Sequence, residues 1–177
     1  VRQGATVLYQ NTKISAAEIG VLAAVGIAQV LVKKLPRITL ISTGNELVDV
    51  WEMPLPHQIR KSNMQSLYAA LSEEGIVPQQ IHLNDELEDT RYGLQKAVKE
   101  NDVLLLSGGV SKGKYDYIPL VMEELGVQKV FHMVLQRPGK PFWFGFHKGT
   151  STVIFSFPGN PVSTYVNYHV YFKDWLK

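Results

Sequence analysis

From Arg37 onward, apolar residues switch between strand-like runs and helical spacing. Ile38-Thr39-Leu40-Ile41-Ser42 is a β-rich run closed by Gly44. Asn63 is placed to cap a helix through Leu67 and Leu71, which Gly75 stops. Val77 to Leu83 reads as a second strand, and Thr90 to Lys99 as an amphipathic helix. Val103-Leu104-Leu105-Leu106 is a continuous apolar strand, of the kind buried on both faces of a parallel sheet. Ile118 to Leu125 is a helix stopped by Gly126, and Lys129 to Leu135 and Pro141 to Phe146 read as extended. Val153 to Phe157 is the last core strand, followed by Pro161 at the first turn of a closing helix. Alternating strands and helices predict an α/β fold, three-layer α/β/α with a mostly parallel sheet.

Residues 1–36 have a different rhythm. Ser15 with Glu18 is a capping-box pattern ahead of the apolar stretch Ile19 to Val25, so a helix is expected there, ended by Gly26. Ala28 to Val32 is expected as a short strand, and Lys33 to Pro36 as a linker. This segment is too small for its own core. The chain also opens without Met and reads as part of something longer, with a remnant at 1–36 and the α/β domain at 37–177.

Composition narrows the function classes. The 45% hydrophobic fraction of the 177 residues supports a buried core, and 19% charged residues argue against disorder. A net charge of +2 tolerates an anionic ligand but lacks the basic stripe of a nucleic-acid binder. The absence of cysteine excludes disulfides, thiolate metal sites and a Cys nucleophile. No apolar run approaches a membrane span, and no signal peptide is evident, so a cytoplasmic protein is expected.

Four motifs fall where a strand hands over to a loop or helix, and in open α/β sheets ligands bind at that edge. Ser107-Gly108-Gly109-Val110-Ser111, with Gly113 and Asp116 beyond, follows the most buried strand. Its glycines let backbone N–H groups approach a phosphate, Ser111 adds a donor, and Asp116 is spaced to face a metal. Thr43-Gly44-Asn45-Glu46 ends the first core strand. There a carboxylate holding Mg²⁺ and a turn cap with a solvated Glu46 fit equally well. Arg137 and Lys140 flank Pro138-Gly139 before Pro141 and form either an oxyanion clamp or a pair of surface cations. Pro158-Gly159-Asn160-Pro161-Val162-Ser163 either presents N–H groups and Ser163 to an anion or simply starts a helix.

Other features read as structural. The five histidines are scattered without metal-ligand spacing, and Tyr165, Tyr168, Tyr171, Phe172 and Trp175 repeat at helical spacing as a packing face. Trp51 with Met53 to Pro56 reads as an exposed loop with hydrophobic anchors.

Taken together, Ser42 to Val48, Ile59 to Asn63, Leu106 to Asp116, Arg137 to Pro141 and Pro158 to Ser163 resemble the molybdopterin molybdotransferase family, which includes MoeA and the gephyrin E domain. The resemblance runs from about residue 37 to the end and implies a MoaB/MogA-like molybdopterin-binding fold. It further implies Mg²⁺-dependent insertion of molybdate into adenylylated molybdopterin, with release of AMP. By that resemblance Asp116, Asp85 and Glu46 serve the metal and adenylate. Thr43, Gly44, Asn45, Ser62, Asn63, Ser107 to Ser111, Gly113 and Pro158 to Asn160 hold the pterin nucleotide. Arg137, Lys140, Pro141 and Ser163 hold molybdate.

The resemblance also implies a homodimer and a molybdopterin adenylyltransferase as a partner. The family has Asp where this chain has Asn45, and a basic residue where it has Met133. It also carries an N-terminal and a small C-terminal β domain beyond the stretch matched here. A MogA-like adenylyltransferase and a non-catalytic scaffold of the same fold are the alternatives.

Overall fold

The computed structural model describes residues 2–109 and 117–177 and divides into two compact units, residues 1–34 and 35–177. In the first, helix α1 (Ala16–Ala24) begins with the expected capping box. The Ser15 hydroxyl accepts from the Ala17 N–H, and Glu18 accepts from the Ser15 N–H. None of its residues is buried, and Leu31 is fully exposed. The strand expected at Ala28 to Val32 does not form: an apolar run becomes a strand only with a pairing partner, and none is present among the described residues.

The larger unit contains a 6-stranded sheet in the order β4-β1-β5-β8-β7-β6. Its strands are β1 (Ile38–Thr43), β4 (Gln79–Leu83), β5 (Val103–Ser107), β6 (Val127–His132), β7 (Trp143–His147) and β8 (Val153–Phe157). β4, β1, β5 and β8 are mutually parallel, and β7 runs antiparallel to both β8 and β6. β6 therefore points the same way as β8. The β6–β7 connection thus emerges at the edge where β1, β4, β5 and β8 end. A separate parallel ribbon joins β2 (Leu47–Val48) to β3 (Ile59–Arg60), an element too short to show a period.

Side-chain alternation along the strands sends neighbouring residues to opposite faces. Ile38, Leu40, Val103, Leu105, Phe155 and Phe157 face α2 (Ser62–Glu73) and the C-terminal helices. Ile41, Leu104, Leu106 and Ile154 face α3 (Leu87–Glu100) and α4 (Ile118–Glu124). Leu104, Leu105 and Leu106 are fully buried, each contributing about 1.5–3 kcal/mol of apolar burial. This continuous burial is why the strand shows no polar alternation.

The closing helix runs as α5 (Pro161–Asn167), a π-helical turn (Tyr168–Phe172) and α6 (Lys173–Leu176). Tyr168 and Phe172 are fully buried, whereas Tyr165 and Trp175 remain substantially exposed, so only part of the aromatic face packs inward. Burial, reinforced by Glu74 and Glu73, pushes the Tyr168 hydroxyl up to about 12. Among the described residues no helix is long and apolar enough to cross a membrane.

Candidate functional site

The strand order reverses between β1 and β5. The chain leaves β1 for β4 on one side, then returns to β5 on the other. In open α/β sheets ligands bind at such a switch point, at the carboxyl ends of the strands. Thr43 and Gly44 lie on one bank, and Ser107, Gly108 and Gly109 on the other. Gly108 has φ +95° and donates its N–H to the Phe157 carbonyl at 3.1 Å. A Cβ on Gly109 would lie 2.6 Å from Ile118 and 3.1 Å from the Thr43 hydroxyl, so the backbone approaches its neighbours as only glycine permits. Val110, Ser111, Gly113 and Asp116 lie outside the described residues.

Asn63 stands in the first turn of α2 and is not its cap; the N-cap is Lys61, which makes no side-chain capping bond. The local cap expected from sequence loses to longer-range partners. Asn63 Nδ2 donates to Ser107 Oγ and to the Gly159 carbonyl, each at 2.8 Å, with a weaker contact to Thr164 Oγ1 at 3.4 Å. One amide thus joins the end of β5, the loop after β8 and α5. Ser62 beside it is exposed. Asn160 caps α5, its Oδ1 accepting from the Ser163 N–H at 3.1 Å, and Thr164 Oγ1 donates to the Pro158 carbonyl at 2.5 Å.

Asn45 and Asp85 form a reciprocal pair. The Asn45 N–H donates to Asp85 Oδ2 at 3.2 Å, and the Asp85 N–H donates to Asn45 Oδ1 at 3.1 Å. Asn45 therefore fixes the loop after β4, and its amide oxygen is already engaged. The Glu46 carboxylate folds back over Gly44, where an added Cβ would lie 2.4 Å from Glu46 Oε2. Asp85 is tied to Asn45 and Glu46 folds over Gly44, both in the loops that end β4 and β1, and carboxylate oxygens are donors of the kind Mg²⁺ takes with retained water. No group of three or more potential metal ligands exists among the described residues.

Arg137 to Pro141 occupy the β6–β7 connection, on the same rim. The Lys140 carbonyl accepts from Val134 and Phe142 N–H groups at 3.0 and 2.9 Å, and Arg137-Pro138 is a cis peptide. Arg137 and Lys140 are exposed, and neither has an ion-pair partner among the described residues. Met133 starts the connection with φ +77°, an uncommon conformation for a non-glycine residue. The described candidate residues therefore converge on one edge of the sheet.

Sequence reasoning missed two clusters here. Gln136, Asn167 and Tyr171 hold the Arg137–Lys140 turn, and Ser42, Lys61 and His82 line a cavity of about 130 Å³ with Asp49, Met64, Gln80 and Ile81. His82 Nδ1 and Ser42 Oγ share a 2.9 Å hydrogen bond, and Lys61 pairs with Asp49 at 3.1 Å. Burial first, then the Lys61 charge, holds His82 below its ordinary value of 6.5.

The unfolded chain then takes up a proton before the folded one. Stability is intact above about pH 6.5 and falls as pH drops from there toward the lowered folded value. Urea midpoints at about pH 7.5 and about pH 5.5 are expected to differ less in His82→Gln than in the unaltered protein. An equal difference in both would remove His82 from the account.

The six-stranded, mostly parallel sheet with its switch point and glycine-bearing strand ends defines an α/β domain. The sequence model described as "Probable molybdopterin binding domain" matches residues 39–177, and the chain belongs to that family. It is 42% identical over 174 residues to a molybdopterin molybdenumtransferase of Synechocystis, covering 98% of this chain and 45% of that protein. It is 34% identical over 210 residues to gephyrin of Dictyostelium discoideum, covering 100% of this chain and 28% of that protein. The structure of a molybdopterin biosynthesis MoeA protein from Pyrococcus horikosii superposes with a TM-score of 0.77 at 32% identity, over 93% of this chain and 40% of that one. The chain spans less than half the length of these relatives.

Proposed function

We propose that this domain holds adenylylated molybdopterin along the carboxyl edge of its sheet. Within the full-length protein it carries the Mg²⁺-dependent exchange in which molybdate is joined to the pterin dithiolene and AMP leaves. The observation that carries this reading is the gathering of three kinds of group on one rim. Glycine-lined backbone lies at Ser107 to Gly109, carboxylates at Asp85 and Glu46, and two exposed cations, without an ion-pair partner among the described residues, at Arg137 and Lys140. The similarity to molybdenumtransferases supports the same reading.

The backbone N–H groups of the β5 turn suit the nucleotide phosphate, with Thr43, Asn63 and the Pro158 to Asn160 loop forming the walls. Asp85, with Glu46 and Asp116, would hold the magnesium, which supplies charge neutralisation at the phosphate linkage. Asn45 orients Asp85. Arg137 and Lys140, with Pro141 and Ser163 close by in the fold, place positive charge and hydrogen-bond donors around the tetrahedral oxyanion before it meets the pterin. The Asn45 amide in place of a carboxylate leaves one negative charge fewer beside the phosphate. The reading includes a homodimer.

The test is AMP release from adenylylated molybdopterin by the full-length protein. Release that requires both molybdate and Mg²⁺ is expected. Formation of adenylylated pterin from ATP and free molybdopterin would instead make it an adenylyltransferase, and neither reaction would leave a binding scaffold.

A further inference from the structure

The turn that carries the two cations is anchored more firmly than an exposed loop requires. Asn167 is fully buried on α5, one helical turn after Ser163 and on the same face. Its Nδ2 donates to the Gly139 carbonyl at 3.0 Å, while its Oδ1 accepts from Gln136 Nε2 at 2.8 Å. Gln136 Nε2 also donates to the Pro138 carbonyl at 2.7 Å, and Gln136 Oε1 accepts from the Tyr171 hydroxyl at 2.7 Å. Gly139 has φ +100°, and a Cβ there would lie 2.3 Å from Asn167 Oδ1. The network therefore grips both residues between Arg137 and Lys140 and fastens them to the helix that bears Ser163.

We propose that Gln136, Asn167 and Tyr171 are positioning residues that set the spacing of Arg137, Lys140 and Ser163 to the size of a molybdate-class tetrahedral oxyanion. This rests on the reading that the turn receives molybdate. None of the three touches the oxyanion in this account; each acts through the turn. A buried amide with half-buried polar partners is no better for stability than apolar packing, because each polar group must recover its lost hydration. What it adds is directional restraint, and here the restraint falls on the two peptide units between the charges. A rigid spacing favours one oxyanion size over another. Sulfate, smaller and of equal charge, is the natural competitor.

The experiment uses the full-length protein with its Asn167→Ala and Tyr171→Phe variants and measures molybdate-dependent AMP release, with sulfate as competitor. The expected result is an increase in the molybdate KM of about tenfold for Asn167→Ala and about threefold for Tyr171→Phe. The KM for adenylylated molybdopterin and kcat should stay within about twofold. The preference for molybdate over sulfate should fall in the same order. Tyr171→Phe removes a single oxygen and decides the matter should Asn167→Ala fail to fold. Unchanged molybdate KM and sulfate preference in a folded variant, or an equal loss in every kinetic constant, would overturn the positioning role while leaving the site intact. An unaltered protein with no molybdate dependence would overturn the site reading and this inference together.

Discussion

Asn63→Ala is expected to lower turnover of adenylylated molybdopterin by about a hundredfold, because the groups it joins sit on different elements and small displacements between reacting partners are costly. Its Nδ2 is the donor shared by Ser107 Oγ and the Gly159 carbonyl. Ser107 is buried, and removing the amide leaves its hydroxyl and the Gly159 carbonyl without that donor. The expected loss of stability is about 1–3 kcal/mol. For a domain of this size that lowers the thermal midpoint by about 5 °C. Calorimetry and steady-state turnover on the same preparation check both figures. A variant with a lowered midpoint but full turnover would show that Asn63 only braces the fold.

Lys140→Ala is expected to act on one substrate alone. Its backbone is fixed by hydrogen bonds from Val134 and Phe142, so truncating the exposed side chain should change stability by less than about 0.5 kcal/mol. A charge-assisted contact is worth about 1.5–3 kcal/mol, so the molybdate concentration for half-saturation should rise about ten- to a hundredfold. Saturating molybdate should restore turnover, and binding of the adenylylated pterin should be unaltered. Initial rates across a molybdate series decide it, and an unshifted curve would remove Lys140 from the clamp.

The sheet was legible because its strongest signals are local. The fully buried run at Val103 to Leu106 and the glycine stops at Gly75 and Gly126, both with positive φ, mark their elements without reference to anything distant. The failures share one cause. Ala28 to Val32 has the composition of a strand but pairs with no strand among the described residues, and Leu31 is left fully exposed. The β2–β3 ribbon joins two-residue strands through register with each other, which no period reveals.

For the site, the glycine, carboxylate and cation motifs were visible, but the residues that aim them were not. Asn63 looked like a helix cap, since capping depends on near neighbours, yet its partners are 44 and 96 positions away. Gln136 and Tyr171 are ordinary polar residues until the fold brings them together. Asn167 did carry a signal: an amide beside the buried Thr164 and Tyr168 on a closing helix needs a buried partner. Asn45, standing where the family has Asp, also serves as the tie that orients Asp85.

Amide hydrogen exchange of the full-length protein, with and without adenylylated molybdopterin, tests most directly whether these separate stretches form one binding edge. Simultaneous protection is expected at residues 43–46, 107–109 and 158–163, with residues 137–141 joining only when molybdate is added. Protection confined to a single stretch, or falling on the opposite edge of the sheet, would contradict it.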